Sequence, residues 1–368
     1  MNGQTGPVPH SRPRLTVDLD ALAENYRHVL DRLAGVSAGA AVKADAYGLG
    51  IEPVARRLWA EGCREFFVAN VDEGIKLREI LPEAEINVFD GAVPGTEDAL
   101  VAHTLVPVVI SLDQLSAWQA AAKRHGVALP VGVHFDTGIN RTGLGAAETA
   151  TLIDERSRIE GLELRHVVSH LASADEPTDQ SERQLERFRV IRAAFPDGIA
   201  SLANSAGIFR GAEFHFDLGR PGIALYGGAP SSSLDRPLST VVTLEAPILQ
   251  LRDVEAGDEV GYGATHVVDG PRVHAVVGVG YADGYHRAGS NAAEAAIAGQ
   301  VVPVVGRVSM DLTILDVTDV APAARTPGSM VELIGPTASV ERLADAAGTI
   351  SYEVLTALGP RYERVYRG

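Results

Sequence analysis

The sequence is poor in several features that mark particular classes of protein. A single cysteine, Cys63, in 368 residues excludes a disulfide framework and a thiolate metal cluster, and it fits a reducing compartment. No stretch approaches the roughly 18 consecutive apolar residues of a membrane span. The opening segment up to Arg14 is polar and contains proline, without the apolar stretch of a secretory signal. Basic residues are scarce beside acidic ones: 32 Lys plus Arg face 48 Asp plus Glu, a formal charge of −16. That balance repels phosphate backbones and anionic lipid surfaces, so nucleic acid and membranes drop out as expected partners. No glycine-rich dinucleotide fingerprint follows the first strand-like run, and no internal repeat or low-complexity tract is present. These absences predict a cytoplasmic protein.

What is present is an ordinary globular composition, 46% hydrophobic and 22% charged, with 38 Gly and 20 Pro dispersed along the chain. The length predicts two domains, or one large barrel with an appendage. Between residues 15 and 226, short β-branched runs alternate with amphipathic segments of helical period. Strands are expected at 40–42, 65–69, 86–89, 106–110, 131–135, 164–169, 199–203 and 222–226. Helices are expected at 21–33, 52–61, 71–80, 112–125, 147–158 and 179–194. About eight strands, each followed by a helix where length permits, predict an α/β fold with a parallel (β/α)8 TIM-like barrel rather than an open sheet. The Ser- and Pro-rich stretch 229–237 reads as a linker. Beyond it, alternating runs at 241–251, 274–280, 300–305, 312–317 and 329–334, then helices at 339–346 and 350–358, predict a smaller, mainly β domain. The expected division is 1–235 for the barrel and 236–368 for the β domain, with the first 14 or so residues packing on the latter.

Barrel enzymes do their chemistry where the strands end. The first strand runs into Lys43 within AVKADAYG. A lysine desolvated among Ala and Val loses its charge more readily and can act as a Schiff-base nucleophile near neutral pH; it also reads as a strand-end lysine that snorkels to water. Asp136 and Arg141 of DTGINR follow the fifth strand, Ser169 and His170 the sixth, Asn204 and Ser205 the seventh, while Arg220, Gly222 and Ile223 lie at the eighth. All load one rim, and small residues with backbone N–H groups near the last two strands are where barrels hold phosphate. Taken singly, His170 reads equally as a structural histidine, Gly222 as a turn glycine, Tyr262 as a hairpin aromatic, Tyr281 and Tyr285 as turn residues, and Met310 as core filler.

Read in order, AVKADAYG, DTGINR, SHLASADE, LANSAG, LGRPGIALYG, GYGAT, VGYADGY, VGRVSMD and SYEVLTALGPR resemble the alanine racemase family, pyridoxal-phosphate enzymes of fold type III, over nearly the whole chain. The resemblance implies a homodimer that interconverts L- and D-alanine and supplies D-alanine for peptidoglycan. It implies that Lys43 holds pyridoxal 5′-phosphate and then serves as the base on the D face of alanine, with Tyr262 as the base on the L face. A direct two-base route needs a proton donor or acceptor on each side of a planar carbanion. A phenol with an ordinary pKa of about 10 is a poor base, so neighbouring positive charge is expected from His170, Arg220 or Arg141. Arg220 would face the pyridine nitrogen, which an arginine leaves unprotonated because it has no acceptor, and His170 would also contact the cofactor. Phosphate ligation would fall to Tyr47, Ser205, Gly222, Ile223 and Tyr352. Arg141, Met310 and Asp311 would hold the substrate, with Tyr281 at the entrance. No metal is implied. In the family the two bases come from different subunits, so the active sites would be shared across the dimer.

The chain also departs from the family pattern. Many members carry a lysine, carbamylated in some, two residues before the Asp of DTG; here that position is His134, which is expected to bear no carbamate. Ile139 and Thr142 stand where methionine and leucine are common. The alternative readings are a serine or broad-specificity amino-acid racemase, a fold-type-III decarboxylase, against which AVKADAYG and GYGAT argue, and a non-catalytic pyridoxal-phosphate carrier. The carrier is built on a barrel alone, whereas this chain continues through a β domain that contains Tyr262.

Overall fold

The computed structural model describes residues 12–230, 234 and 236–368; the first eleven residues and part of the expected 229–237 linker lie outside the described residues. The chain forms two compact units, Leu22–Ser239 and a second made of Thr240–Gly368 with the N-terminal stretch up to Ala21.

In the first unit, the strands Ala40–Ala41, Glu65–Val68, Glu85–Val88, Val106–Val109, Leu129–His134, Leu162–Val168 and Ile199–Ser201 pair in parallel in sequence order. Helices alternate with them, and their starts are specified locally. Asn70 caps Val71–Ile80 by accepting from Glu73 N at 3.0 Å, and Ser111 caps Leu112–His125 by accepting from Gln114 N at 3.2 Å. Strand residues such as Phe66, Phe67, Val68, Ile86 and Val88 are fully buried, as a parallel sheet covered on both faces requires.

The sheet closes at a different place from the one expected. The eighth strand is the short Leu218–Gly219, parallel to Ser37–Ala38. It is tied to the seventh by Asp217 N to Ala200 O at 3.0 Å and Arg220 N to Ala203 O at 2.9 Å. Residues 222–226, expected as that strand, instead contain the 3-10 turn Ile223–Tyr226. Pro221 has no N–H to offer a ladder, and the chain turns at Gly222.

At the N-terminal ends of the strands a charged cluster ties non-neighbouring staves. His166 Nε2 lies 2.8 Å from Glu85 Oε1 and 3.6 Å from Glu65 Oε2, and Arg165 pairs with the other oxygen of Glu85. This end of a barrel serves stability rather than chemistry.

The second unit is organised on one long strand, Val242–Val254, which pairs antiparallel with Arg14–Asp18, Met330–Ile334 and Arg272–Val277. Arg14–Asp18 is also parallel to Glu363–Arg367, and Thr313–Asp316 extends from Arg272–Val277. Glu294–Ile297 and Gln300–Pro303 form a hairpin through Ala298 and Gly299, both at positive φ. Arg14–Asp18, Glu294–Ile297 and Glu363–Arg367 were not expected as strands; EAAI has little intrinsic β preference, and the two terminal runs, with charges at their ends, are short strands fixed by pairing with each other.

Burial alone would raise the Glu85 carboxyl, but hydrogen bonds from His166 and Arg165 override it and hold the group down at about 2. A carboxylate whose folded pKa lies below its unfolded value stabilises the fold above the ordinary 4.5, and that contribution is lost as pH falls from there toward 2. Glu85→Gln is expected to cost about 1–3 kcal/mol at neutral pH and to flatten the acid side of the stability curve. Urea unfolding at a series of pH values checks this; an acid limb like that of the wild type contradicts it.

Candidate active site

The chain leaves Ala40–Ala41 through Val42 and at once enters a left-handed turn. Ala44, Asp45, Ala46 and Tyr47 have φ of 54°, 53°, 55° and 57°. Each costs an L residue roughly 1–2 kcal/mol, so such a run persists only where its surroundings fix it. Gly48 N donates to Ala44 O at 2.7 Å and Gly50 N to Asp45 O at 2.8 Å. Asp45 Oδ1 accepts from Ile51 N at 3.0 Å and Lys76 Nζ at 3.1 Å. Lys43 precedes the turn and Tyr47 ends it. Solvent reaches Lys43, yet the surrounding protein still desolvates its amine, and this, with the charge of Arg141, pushes its pKa below the ordinary lysine value.

Tyr47 packs on Tyr226 with ring centroids 4.5 Å apart. Its hydroxyl reaches Gly222, where an added Cβ would sit 2.2 Å from it, so only glycine admits this approach. Gly222 N and Ala224 N donate to Ser205 Oγ at 2.8 and 3.3 Å, and Asn204 fixes the start of Ser205–Arg210 by accepting from Gly207 N at 3.0 Å. Tyr47, Ser205, Gly222 and Ile223 therefore converge as hydroxyls and backbone N–H groups, a donor set that fits a phosphate.

Arg220 is 4% exposed, and among the described residues no carboxylate pairs with it. Its guanidinium donates to Ser201 Oγ and Ser169 O. Burial pulls it down to about 9, which leaves it a cation at neutral pH. Desolvation, then the charges of Arg220 and Arg141, push His170 well below its ordinary value and hold His134 at about 4. His170 is thus neutral and does not supply the positive charge expected of it. A reactive amine, a phosphate-type cradle and a buried arginine fit the aldehyde, phosphate and ring nitrogen of pyridoxal phosphate.

Arg141 makes no hydrogen bond or ion pair among the described residues. Its loop is instead held through the backbone: Asp136 Oδ1 accepts from the N–H groups of Gly138, Ile139 and Asn140 at 2.8, 3.1 and 3.2 Å. His134 lies buried under Gly143, its Nδ1 3.5 Å from Thr142 Oγ1 and its Nε2 without a partner.

The other sequence-selected residues, Tyr262, Tyr281, Met310, Asp311 and Tyr352, belong to the second unit. Tyr262 opens the turn Tyr262–Ala264 between Gly261 and Gly263, both at positive φ, and is 69% exposed. Arg307 packs on this turn, with Nη1 2.9 Å from where a Cβ on Gly263 would lie. Tyr281 N donates to Ser309 O at 3.0 Å and Ala282 N to Met310 O at 2.9 Å, which sets the loops of Tyr281 and Met310 side by side. Arg361 spans them, with Nε 3.0 Å from the buried Asp283 and Nη1 2.7 Å from Asp311. Tyr352 lies in the first turn of Ser351–Ala357. Arg307 and Arg361 were within the quoted motifs but were not singled out as site residues, because they hold their neighbours and a motif does not separate support from chemistry.

The model of the alanine racemase N-terminal domain matches residues 17–230, and that of the C-terminal domain matches 241–366. The alanine racemase of Rhodospirillum rubrum is 46% identical over 357 residues, covering 96% of each chain. The biosynthetic alanine racemase of Agrobacterium fabrum is 46% identical over 377 residues, covering 99% of this chain and 96% of its own. Among solved structures, alanine racemase from Bartonella henselae with covalently bound pyridoxal phosphate superposes with a TM-score of 0.92 at 36% identity, covering 97% of this chain and 99% of that one.

The depressed His134 pKa carries a pH dependence. An ordinary histidine titrates at 6.5 and the folded ring at about 4, so the fold keeps its full stability above pH 6.5 and loses some as pH falls from there toward 4. Histidine NMR of the intact protein is expected to place the His134 midpoint near 4, and native mass spectrometry to find no added carbon dioxide on it. A midpoint near 6.5, or a carbamate mass increment, contradicts this description.

Proposed function

The chain belongs to the alanine racemase family, and from that premise we propose that it interconverts L- and D-alanine with pyridoxal phosphate on Lys43 and with Lys43 and Tyr262 as opposed proton-transfer groups. The observation that carries this reading is the rim of the barrel unit, where a desolvated lysine amine shares one end of the strands with the Tyr47, Ser205, Gly222 and Ile223 donors and with Arg220. An amine suits an aldehyde, and the donor set suits a phosphate.

Pyridoxal phosphate, when bound, supplies the conjugated ring that withdraws electrons from the Cα–H bond of an attached amino acid. Lys43 removes the Cα proton of D-alanine while the Tyr262 hydroxyl delivers one to the opposite face. For L-alanine the roles reverse, so the two groups exchange protonation states in each turnover and both enantiomers meet one acid and one base. The depressed Lys43 pKa favours the free amine near neutral pH. Arg220 would face the pyridine nitrogen with N–H donors only, and having no acceptor it would leave that nitrogen unprotonated. Tyr47, Ser205, Gly222, Ile223 and Tyr352 would hold the phosphate, and neutral His170 would contact the cofactor without adding charge. Arg141 pairs with the substrate carboxylate beside the N–H of Met310, which donates to nothing among the described residues. Asp311 shapes that corner and Tyr281 narrows the entrance.

A tyrosine that must act on a shielded Cα yet is largely exposed in its own chain calls for a second copy to cover it. The enzyme is then a homodimer in which each site takes Lys43 from one subunit and Tyr262 from the other. The D-alanine would supply peptidoglycan, a role in line with the biosynthetic Agrobacterium relative. No helix among the described residues is long and apolar enough to cross a membrane, and a cytoplasmic location fits the lone cysteine.

Purified protein supplied with pyridoxal phosphate is expected to racemise L-alanine, followed by optical rotation, and borohydride to fix a pyridoxyl group on Lys43; a label on another lysine, or on none, overturns the assignment. Lys43→Ala and Tyr262→Phe homodimers should each lose about a hundredfold to ten-thousandfold in rate. After random subunit exchange about half the dimers are mixed, each with one intact site of two, so roughly a quarter of wild-type activity should return. No recovery after confirmed exchange contradicts the shared site.

A further inference from the structure

Glu73 occupies the first turn of Val71–Ile80, three residues after the cap Asn70. That spacing ordinarily sends a glutamate back to the N–H of the cap residue itself. Here its two oxygens go elsewhere: Oε2 accepts from Ala69 N at 2.8 Å, and Oε1 accepts from Ala44 N at 2.7 Å. Ala69 follows the strand Glu65–Val68, and Ala44 is the first residue of the left-handed run that begins beside Lys43. One carboxylate therefore joins the end of a rigid strand to the entry of a strained turn. Asp45, through Ile51 N and Lys76, holds the exit. None of Ala44, Asp45, Ala46 and Tyr47 is glycine, so each pays a steric penalty at positive φ, and the run needs external ties at both ends.

We propose that Glu73 is a positioning residue for the racemase reaction, its two carboxylate oxygens clamping the left-handed turn that aims Lys43 and sets the Tyr47 hydroxyl against Gly222. The inference rests on the reading of Lys43 as the cofactor lysine. Both oxygens face N–H donors, so the clamp requires two acceptors, and a carboxylate is the only side-chain group of this length that supplies them. Glutamine has nearly the same volume but replaces one acceptor with an amide donor aimed at an N–H. A role in packing would survive that change and the clamp would not.

Charge and clamp also act in opposite directions on Lys43. The negative charge of Glu73 raises the Lys43 pKa, so removing charge alone would leave more free amine at neutral pH and speed its capture of an aldehyde. Removing the clamp slows that capture by loosening the turn.

The test compares wild type, Glu73→Gln and Glu73→Asp in three measurements: amide hydrogen exchange of cofactor-free protein, titration with pyridoxal phosphate, and kcat and KM for alanine. Loss of one charge-assisted hydrogen bond predicts an effect of about tenfold or more. In Glu73→Gln, exchange across residues 44–50 should quicken by about that factor while the rest of the barrel is unchanged. Pyridoxal phosphate should bind about tenfold more weakly, and kcat should fall more than KM changes. Glu73→Asp keeps the charge but is one methylene too short to reach both N–H groups, so it should show the same pattern even if Glu73→Gln fails to fold. Wild-type exchange and affinity in either variant, or faster capture of pyridoxal phosphate by Glu73→Gln, would overturn the clamp. A wild-type protein that takes no pyridoxal phosphate on Lys43 would instead overturn the functional reading beneath it.

Discussion

The Arg220 guanidinium lies buried at the end of the barrel strands, bound to Ser201 Oγ and Ser169 O and paired with no carboxylate among the described residues. A buried charge is tolerated when its donors are satisfied, and from that position it adds to the desolvation that lowers the pKa of the histidines around it. Together with desolvation and with Arg141, it keeps His134 and His170 neutral, while desolvation and Arg141 lower the Lys43 amine. In a chain with a formal charge of −16, Arg141 and Arg220 put cations at this rim. It is suited to phosphate and carboxylate groups that the rest of the surface repels.

In each unit, the residues singled out as functional are aimed by backbone, and carboxylates hold that backbone. Glu73 accepts from Ala44 N behind Lys43; Asp136 accepts three N–H groups behind Arg141; Asp283 accepts from Gly280 N at 2.9 Å beside Tyr281. Each carboxylate stands one step back from the group it positions. In each case the ordering anion is consumed in hydrogen bonds to backbone N–H groups.

Much of the barrel was legible because parallel strands covered on both faces are short runs of buried apolar residues, bounded by capped helices such as that at Asn70. The eighth strand was misplaced because GIALY has a strand's composition, while the true strand, Leu218–Gly219, is two residues long. In the second unit, Arg14–Asp18 and Glu363–Arg367 pair with each other across nearly the whole chain, a partnership that local periodicity cannot carry. The motif residues that converge on the rim were legible because they sit at strand ends. The left-handed turn was not, because none of Ala44, Asp45, Ala46 and Tyr47 is a glycine that would announce positive φ. Glu73 looked like an ordinary helix-start glutamate, and its second oxygen is explained only by the distant Ala44.

The account stands on Lys43 and Tyr262 serving opposite faces of the same Cα, and the most direct measurement is exchange of the Cα hydrogen in deuterium oxide by Tyr262→Phe supplied with pyridoxal phosphate. With only the D-face group left, D-alanine should take up deuterium at Cα, L-alanine should keep its hydrogen, and neither should racemise. Equal exchange from both enantiomers, or exchange from L-alanine alone, would contradict the assignment of faces.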